Sequence, residues 1–269
     1  MLYPGSFTKG EVIDYHVRVA PRLLTHLAGR PLTLKRYPNG VDAPFFYEKR
    51  CPPHAPDWIQ RAAGEIPYCV VDGLASLVWV ANLASLELHP SLALAAAPEV
   101  PTVVAFDLDP GAPADVVDCA RLAADLRDML AVLGLQCFPK TSGSKGMQVY
   151  VPLNTPTSFD ATRAFSQAVA VTLERQMPDR VVATMAKQRR QGRVFVDWAQ
   201  NHATKTTIAA YSLRAMPEPT VSTPVTWDEV EDARTATDLT FTAADVLARD
   251  GDPFAPVATL RQELPSHAA

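Results

Sequence analysis

The most constraining feature of this sequence is an Asp-x-Asp pair at the end of a short apolar run. The run, Val-Val-Ala-Phe, spans residues 103–106, and Asp107 and Asp109 follow it before Pro110. Such a run predicts a buried strand. Because side chains alternate along a strand, the two carboxylates share a face and repel each other unless a cation lies between them. The pair predicts a site for Mg²⁺ or Mn²⁺; the alternative is an Asp that only caps the next helix.

Composition limits the kinds of partner. The chain has 269 residues, enough for one large domain or for two lobes, and a proline-rich segment at residues 98–101 divides candidate lobes 1–98 and 99–269. The net charge of −4 argues against attraction of nucleic acid to the whole surface. A site for a polyanion must therefore be a local basic groove.

Cysteine usage and the N-terminus indicate the compartment. The four cysteines, at positions 51, 69, 119 and 137, are widely spaced, which predicts reduced thiols rather than a disulfide framework or a zinc knuckle. The first residues carry no signal-peptide pattern, and nowhere do 18 apolar residues run together. We therefore expect a cytoplasmic protein with no membrane partner.

Hydrophobic periodicity predicts a mixed α/β chain. The predicted helices span residues 8–29, 74–88, 113–133, 158–177 and 226–230. The predicted strands span residues 32–37, 44–50, 67–71, 103–106, 135–139, 147–153, 193–198 and 206–211.

A loop of small residues offers groups that bind phosphate. Residues 142–146, Ser-Gly-Ser-Lys-Gly, supply free backbone N–H groups, the hydroxyls of Ser142 and Ser144, and the ammonium of Lys145. The loop is not a Walker A motif, because the spacing differs and a strand follows. It predicts a triphosphate site; a flexible turn is the alternative.

A third carboxylate and several cations follow later in the chain. Asp197 ends the apolar run 194–196, as Asp107 ends the earlier run, and this repetition predicts two bridged metal ions. Three carboxylates, two divalent ions and a triphosphate with about four negative charges still leave a negative excess. Nearby cations would offset that excess, and Arg190, Lys205 and Arg214 are the best placed.

Taken in order, these motifs resemble those of the polymerase domain of bacterial DNA ligase D, a member of the archaeo-eukaryotic primase superfamily. The matching segments are residues 107–110, 141–146, 195–201 and 205–214. The resemblance covers almost the whole chain as a single primase-polymerase domain. It implies an α/β, primase-like fold, with a mostly antiparallel catalytic sheet flanked by helices and packed on an N-terminal lobe. No Lys-x-Asp-Gly adenylation motif occurs, so we expect a stand-alone member that partners a separate ATP-dependent DNA ligase.

The resemblance also assigns roles to individual residues. The metal-binding, catalytic residues would be Asp107, Asp109 and Asp197. The residues holding the nucleotide's phosphates would be Ser142, Ser144, Lys145, Arg190, Gln200, Lys205 and Arg214. The residues around its sugar and base would be Lys35, Phe46, Tyr47 and His89. Gln148 replaces the His that usually contacts the nucleotide and can donate a hydrogen bond without carrying charge. Lys9 matches a lysine that binds the 5′-phosphate at a DNA gap.

The implied function is template-directed DNA polymerisation in repair by non-homologous end joining. Such an enzyme uses two Mn²⁺ or Mg²⁺ ions to add nucleotides, preferably ribonucleotides, to 3′ ends at gaps or breaks in duplex DNA. Three alternatives stay open: a primase that starts chains unprimed, a metal-dependent nuclease, and a non-catalytic module that bridges DNA ends for a ligase. The carboxylates argue against the last, because a phosphate binder gains nothing from buried negative charge.

Overall fold

Two five-stranded sheets form the framework of the computed structural model, which describes residues 1–5 and 7–265. The helices are α1 (Lys9–Leu27), α2 (Leu74–Asn82), α3 (Val116–Val132), α4 (Phe159–Gln176), α5 (Trp227–Asp232), α6 (Ala243–Ala248) and α7 (Pro256–Thr259). The strands are β1 (Pro31–Arg36), β2 (Phe46–Glu48), β3 (Gln60–Arg61), β4 (Cys69–Val70), β5 (Ser85–Pro90), β6 (Ala93–Leu94), β7 (Ala97–Pro101), β8 (Val103–Pro110), β9 (Phe138–Thr141), β10 (Met147–Pro152), β11 (Val181–Val182) and β12 (Val194–Asp197).

The first sheet is built around β1. This strand pairs antiparallel with β2, β4 and β5. The N-terminal helix α1 begins with a capping box between Thr8 and Glu11, as its sequence predicts. The helix and the sheet contribute to one hydrophobic core, to which α1 gives Val12 and Leu23 and β1 gives Leu32.

The second sheet has the order β11-β12-β8-β10-β9, and all its pairings are antiparallel except that of β11 with β12. The central strand β8 alternates as predicted. Its residues Val104, Phe106 and Leu108 belong to a second core cluster that includes residues of α3 and α4. The carboxylates of Asp107 and Asp109 therefore lie on the face opposite these helices.

One hydrophobic core contains residues of both sheets. Val103 and Ala105 of β8 and Tyr150 of β10 belong to the same cluster as α1 and β1. Residues before and after position 98 thus share one core, and the division into two lobes at that position stays a prediction.

Two sequence-based element assignments are wrong. The helix predicted over 74–88 ends at Asn82, and the chain turns at Ala84, whose φ is 57°, into strand β5. The C-terminal part of the predicted helix, from residue 85 onwards, alternates polar and apolar residues. This alternation is a strand pattern, but the helical spacing of the preceding residues obscures it. The strand predicted over 206–211 is only an isolated bridge between Ser91 and Thr206, continued by single backbone hydrogen bonds to β5.

The prediction that all the thiols are reduced is wrong for one pair. Cys51 and Cys69 form a disulfide across a Cα–Cα distance of 4.7 Å. The loop from Cys51 returns to β4, where the Cys51 amide donates to the carbonyl of Pro67, so residues 18 positions apart become neighbours. Cys119 and Cys137 are free and buried. In the described part of the chain, no helix is both long and apolar enough to cross a membrane.

Candidate active site

A cavity of about 460 Å³ is lined by residues of both sheets and of the segments after them. The predicted site residues that line it are Tyr47, His89, Asp107, Asp109, Ser142, Ser144, Lys145, Gln148, Gln200, Lys205 and Arg214. The lining residues that were not predicted as site residues are Thr33, Lys49, Thr204, Thr206, Thr207 and Ile208, of which the last three lie within the matching segment 205–214. The fold thus gathers motifs that are distant in sequence around one opening.

The three predicted catalytic carboxylates share one face of the second sheet. Asp107 and Asp109 are two residues apart in β8, and Asp107 is the register partner of Asp197 in β12. Burial and repulsion from Asp109 hold the pKa of Asp107 well above its ordinary value, although a hydrogen bond from Gln148 opposes the shift. Burial also raises the pKa of Asp197. The site therefore disfavours the ionised form of these carboxyl groups unless further positive charge lies beside them.

The side chain of Asp197 is occupied by local hydrogen bonds. It accepts one from the Ala199 amide and one from the Gln200 side chain, both at 3.0 Å, and is not among the residues lining the cavity. With the side chains in these positions, no three His, Cys, Asp or Glu residues of the described chain are grouped so that they could hold a metal ion. Each carboxylate oxygen of Asp197 nevertheless retains a free lone pair.

The small-residue loop lies tightly against its surroundings. Ser142 Oγ accepts hydrogen bonds from the amides of Gly146 and Ser144, at 3.1 and 3.3 Å. Gly143 has a φ of +69°, and a Cβ there would lie 2.5 Å from the Val221 carbonyl carbon. The loop is therefore a fixed turn, and the exposed Lys145 side chain lies at the cavity.

Gln148 connects the acidic strand to the cavity wall. The Thr207 hydroxyl donates to the Gln148 side-chain oxygen at 3.2 Å, and the Tyr150 hydroxyl lies 2.8 Å from the same Thr207 oxygen. With its oxygen occupied, Gln148 has its amide N–H groups available, and its hydrogen bond to Asp107 lowers the pKa of that carboxyl.

A buried carboxylate that sequence reasoning missed lies behind the cavity. Glu87 is within 3.3 Å of Lys35 Nζ, 3.0 Å of His89 Nε2 and 3.6 Å of Arg214 Nε. Burial raises the pKa of Glu87, but the hydrogen bond from His89 and the charges of Arg214 and Lys35 outweigh burial and bring it to about 2. No signal in the sequence marked this residue, since it falls in the segment misassigned as helix.

Five predicted site residues do not line the cavity: Lys9, Lys35, Phe46, Arg190 and Asp197. Phe46 alternates with Tyr47 along β2, and the Arg36 guanidinium lies 5.1 Å from its ring. The guanidinium of Arg190 lies 3.7 Å from the ring of Phe195.

Lys9 is the exposed first residue of α1. Lys35 Nζ is 4.3 Å from the ring centre of Phe45, behind the cavity wall. All the predicted acids and residues for the nucleotide's phosphates except Asp197 and Arg190 line the cavity, whereas only Tyr47 and His89 of the four residues predicted around the sugar and base do so.

Comparison with known proteins identifies the family. Residues 8–254 match the family model of the LigD primase-polymerase domain. The chain belongs to this family. The predicted resemblance is therefore confirmed.

Individual relatives agree with this assignment. The chain is 43% identical over 266 residues to the multifunctional non-homologous end joining DNA repair protein LigD of Mycobacterium tuberculosis, covering 94% of this chain and 35% of that protein. It is 31% identical to the bifunctional LigD of Bacillus subtilis, covering 92% of this chain and 41% of that one. This LigD primase-polymerase domain thus spans well under half the length of these curated relatives.

A solved structure confirms the primase-like α/β fold. The polymerase domain of Mycobacterium tuberculosis ligase D in complex with DNA superposes with a TM-score of 0.89 at 40% identity. The match covers 97% of this chain and 96% of that chain.

Proposed function

We propose that this LigD primase-polymerase domain is a template-directed nucleotidyltransferase acting on DNA. It adds nucleotides, with ribonucleotides preferred, to 3′ ends at gaps and breaks during non-homologous end joining. The observation that carries the proposal is charge placement: Asp107 and Asp109 line the same cavity as Lys145, Lys205 and Arg214. The acids suit divalent cations and the basic side chains suit a triphosphate, so one cavity accommodates both.

The three aspartates of the second sheet supply the donor type that two Mg²⁺ or Mn²⁺ ions require, and binding would need the Asp197 side chain to leave its present hydrogen bonds. Asp107, Asp109 and Asp197 would hold them through carboxylate oxygens, the ligands that these hard cations prefer. A cation beside Asp107 would offset the repulsion from Asp109 that raises its pKa. When bound, such ions lower the pKa of the attacking 3′-hydroxyl and stabilise the charge on the departing pyrophosphate.

The chain's own residues position the reactants. The small-residue loop offers the hydroxyls of Ser142 and Ser144 and the Lys145 ammonium to the phosphates, and Lys205 and Arg214 neutralise charge on them. Gln148 keeps Asp107 oriented and favours its ionised form. Tyr47 is exposed at the cavity and offers a ring face on which a base can stack. Catalysis is then mainly positioning and charge neutralisation.

The proposed partners are gapped or broken duplex DNA, nucleoside triphosphates and a separate ATP-dependent DNA ligase. Support comes from the relatives, which are described as end-joining repair proteins, and from the similar domain solved with DNA. Lys9, at the exposed start of α1, would contact the 5′-phosphate of the downstream strand.

Extension of a labelled primer on gapped DNA tests this function. The wild-type protein should add ribonucleotides in Mn²⁺, with deoxynucleotides used less well. The Asp107→Ala, Asp109→Ala double variant should give no extension while keeping the wild-type circular dichroism spectrum, because it lacks the oxygen ligands. Normal extension by the double variant would show that the metal assignment is wrong.

The same assay separates the alternatives. Products on a bare single-stranded template indicate a primase, and shortened primers indicate a nuclease. DNA binding that survives EDTA, together with no incorporation in Mn²⁺, indicates an end-binding module.

A further inference from the structure

Glu87 concentrates the polar contacts behind the cavity. It is 2% exposed and lies in β5, with Lys35 of β1 as its register partner. Besides the three cationic or imidazole groups described above, the Ala215 amide donates to its Oε1 at 3.2 Å and the Tyr37 hydroxyl at 3.5 Å. A buried ion destabilises a fold unless its surroundings compensate the charge. Glu87 is therefore held in place by contacts on every side.

Its partners are the residues expected to contact the nucleotide. His89 and Arg214 line the cavity, whereas Lys35 stands behind it against aromatic rings. The Ala215 contact also fixes the backbone next to Arg214. One carboxylate thus adds side-chain contacts to the backbone pairing of β1 with β5 and connects both strands to Arg214 in the segment after Thr206.

The contact with His89 determines where that ring carries its proton. Glu87 is ionised at neutral pH and can only accept a hydrogen bond, so Nε2 of His89 must be the donor. Burial lowers the pKa of His89, so the ring is neutral at neutral pH and Nδ1 keeps its lone pair. Among the described residues Nδ1 has no hydrogen-bond partner, and His89 lines the cavity.

We propose that Glu87 is a positioning residue for nucleotide binding. Its carboxylate sets the places of Lys35, His89 and Arg214 and keeps the proton of His89 on Nε2. Nδ1 then accepts a hydrogen bond from a sugar hydroxyl of the nucleoside triphosphate. This inference rests on the proposed function, because it takes the cavity's ligand to be a nucleotide.

The test compares two variants of the whole chain. Glu87→Gln keeps the shape of the side chain but places N–H donors against donor groups of its neighbours. Glu48→Gln is the matched control, since Glu48 pairs at 2.9 Å with Arg36 in the same sheet and neither lines the cavity. Incorporation on gapped DNA is measured with ATP, 2′-deoxy-ATP and 3′-deoxy-ATP.

In Glu87→Gln the KM for ATP should rise about tenfold, as for loss of one hydrogen bond to a charged group. The kcat should change less than about twofold, because binding rather than the chemical step is affected. For the analogue that lacks the contacted hydroxyl, Glu87→Gln should raise the KM less than it does for ATP. Glu48→Gln should leave all three KM values unchanged. An unchanged KM for ATP in Glu87→Gln, or equal increases for all three nucleotides, would overturn the proposal.

Nitrogen-15 NMR of histidine gives a readout independent of activity. In the wild-type protein the His89 signals, assigned with His89→Gln, should show a neutral ring protonated on Nε2, and Glu87→Gln should shift this tautomer. A wild-type ring protonated on Nδ1 contradicts the inference even if Glu87→Gln does not fold. Failure of the wild-type protein to incorporate any nucleotide would instead overturn the proposed function and leave the tautomer result interpretable.

Discussion

Gly143 shows how a single residue shapes the small-residue loop. Its φ of +69° is a region that residues with a side chain rarely adopt, and the backbone of Val221 and Ser222 leaves no room for a Cβ. The Thr220 hydroxyl donates to the Gly143 carbonyl at 2.6 Å, which holds the loop to the segment after Arg214. The position of Lys145 thus depends on the backbone conformation at Gly143.

Gly143→Ala should lower nucleotide affinity at least tenfold and reduce the free energy of unfolding by more than about 2 kcal/mol. The new Cβ would clash with the backbone of Val221, and alanine is also unfavourable at a positive φ. Gly134→Ala is the matched control: Gly134 also has a positive φ, +76°, but its Cβ would meet nothing within 4 Å. That variant should lose only about 1 kcal/mol and bind nucleotide normally. Titration with a fluorescent nucleotide and urea unfolding measure both effects, and equal losses in the two variants would contradict this account of the loop.

Some residues of the candidate site can be predicted from the sequence alone and others cannot. Asp107 and Asp109 were predictable because alternation alone places them together on one face. Glu87 was not, because its role depends on contacts with β1 and with the segment around Arg214, which only tertiary structure creates. The pairing of Cys51 with Cys69 likewise depends on a loop path that spacing does not reveal.

Among the elements, α1 and β5 show where local patterns suffice. Helix α1 carries its own start signal and a continuous apolar face, so its bounds follow from the sequence. Strand β5 follows α2 after a turn at Ala84, which has a positive φ without being glycine, so no residue type marked the break. Both elements are nevertheless part of the same core.

The buried His16 of α1 makes the stability of the protein depend on pH. Its Nδ1 contacts the Val12 carbonyl at 2.7 Å, its Nε2 has no partner among the described residues, and burial lowers its pKa to about 4. Below the ordinary His pKa of about 6.5, the unfolded chain binds a proton that the folded chain excludes. Stability is therefore lost as the pH falls from about 6.5 towards 4, by roughly 2 kcal/mol at pH 5.

Urea unfolding at pH 7.5 and pH 5 checks this expectation. The loss of unfolding free energy between the two pH values should be smaller in His16→Gln by roughly 2 kcal/mol, because this side chain does not titrate. The His26–Asp252 pair is present in both proteins and cancels in the comparison. Equal losses in the two proteins would show that His16 does not exclude a proton.

At the scale of the whole molecule, the acidic net charge means that the proposed DNA binding would depend on local contacts. The protein carries −4 overall, yet its cavity contains Lys49, Lys145, Lys205 and Arg214. Lys9 lies outside that cavity, at the start of α1. Contacts with the nucleotide and with the downstream DNA strand are therefore expected to be separable by substitution.

Lys9→Ala should weaken binding to gapped DNA that carries a 5′-phosphate. The slope of log K against log salt concentration should become shallower by about 1, as expected for the loss of one phosphate contact. Binding to the same DNA without the 5′-phosphate should be unchanged, as should the KM for nucleotide on that DNA. Fluorescence anisotropy over a salt series measures the slope. If the variant weakens binding to both DNAs equally, Lys9 contacts the DNA backbone rather than the 5′-phosphate.

The face of β8 that bears Asp107 and Asp109 also bears Val103 and Ala105, which pack in the core shared with the first sheet. On this face of β8, the residues before Asp107 are therefore packed in the core, and the residues from Asp107 onwards line the cavity. Moving the two sheets apart would expose that apolar core to water, which is costly. The distance between Asp107 on one side of the cavity and His89 on the other is therefore set by this packing when the chain folds.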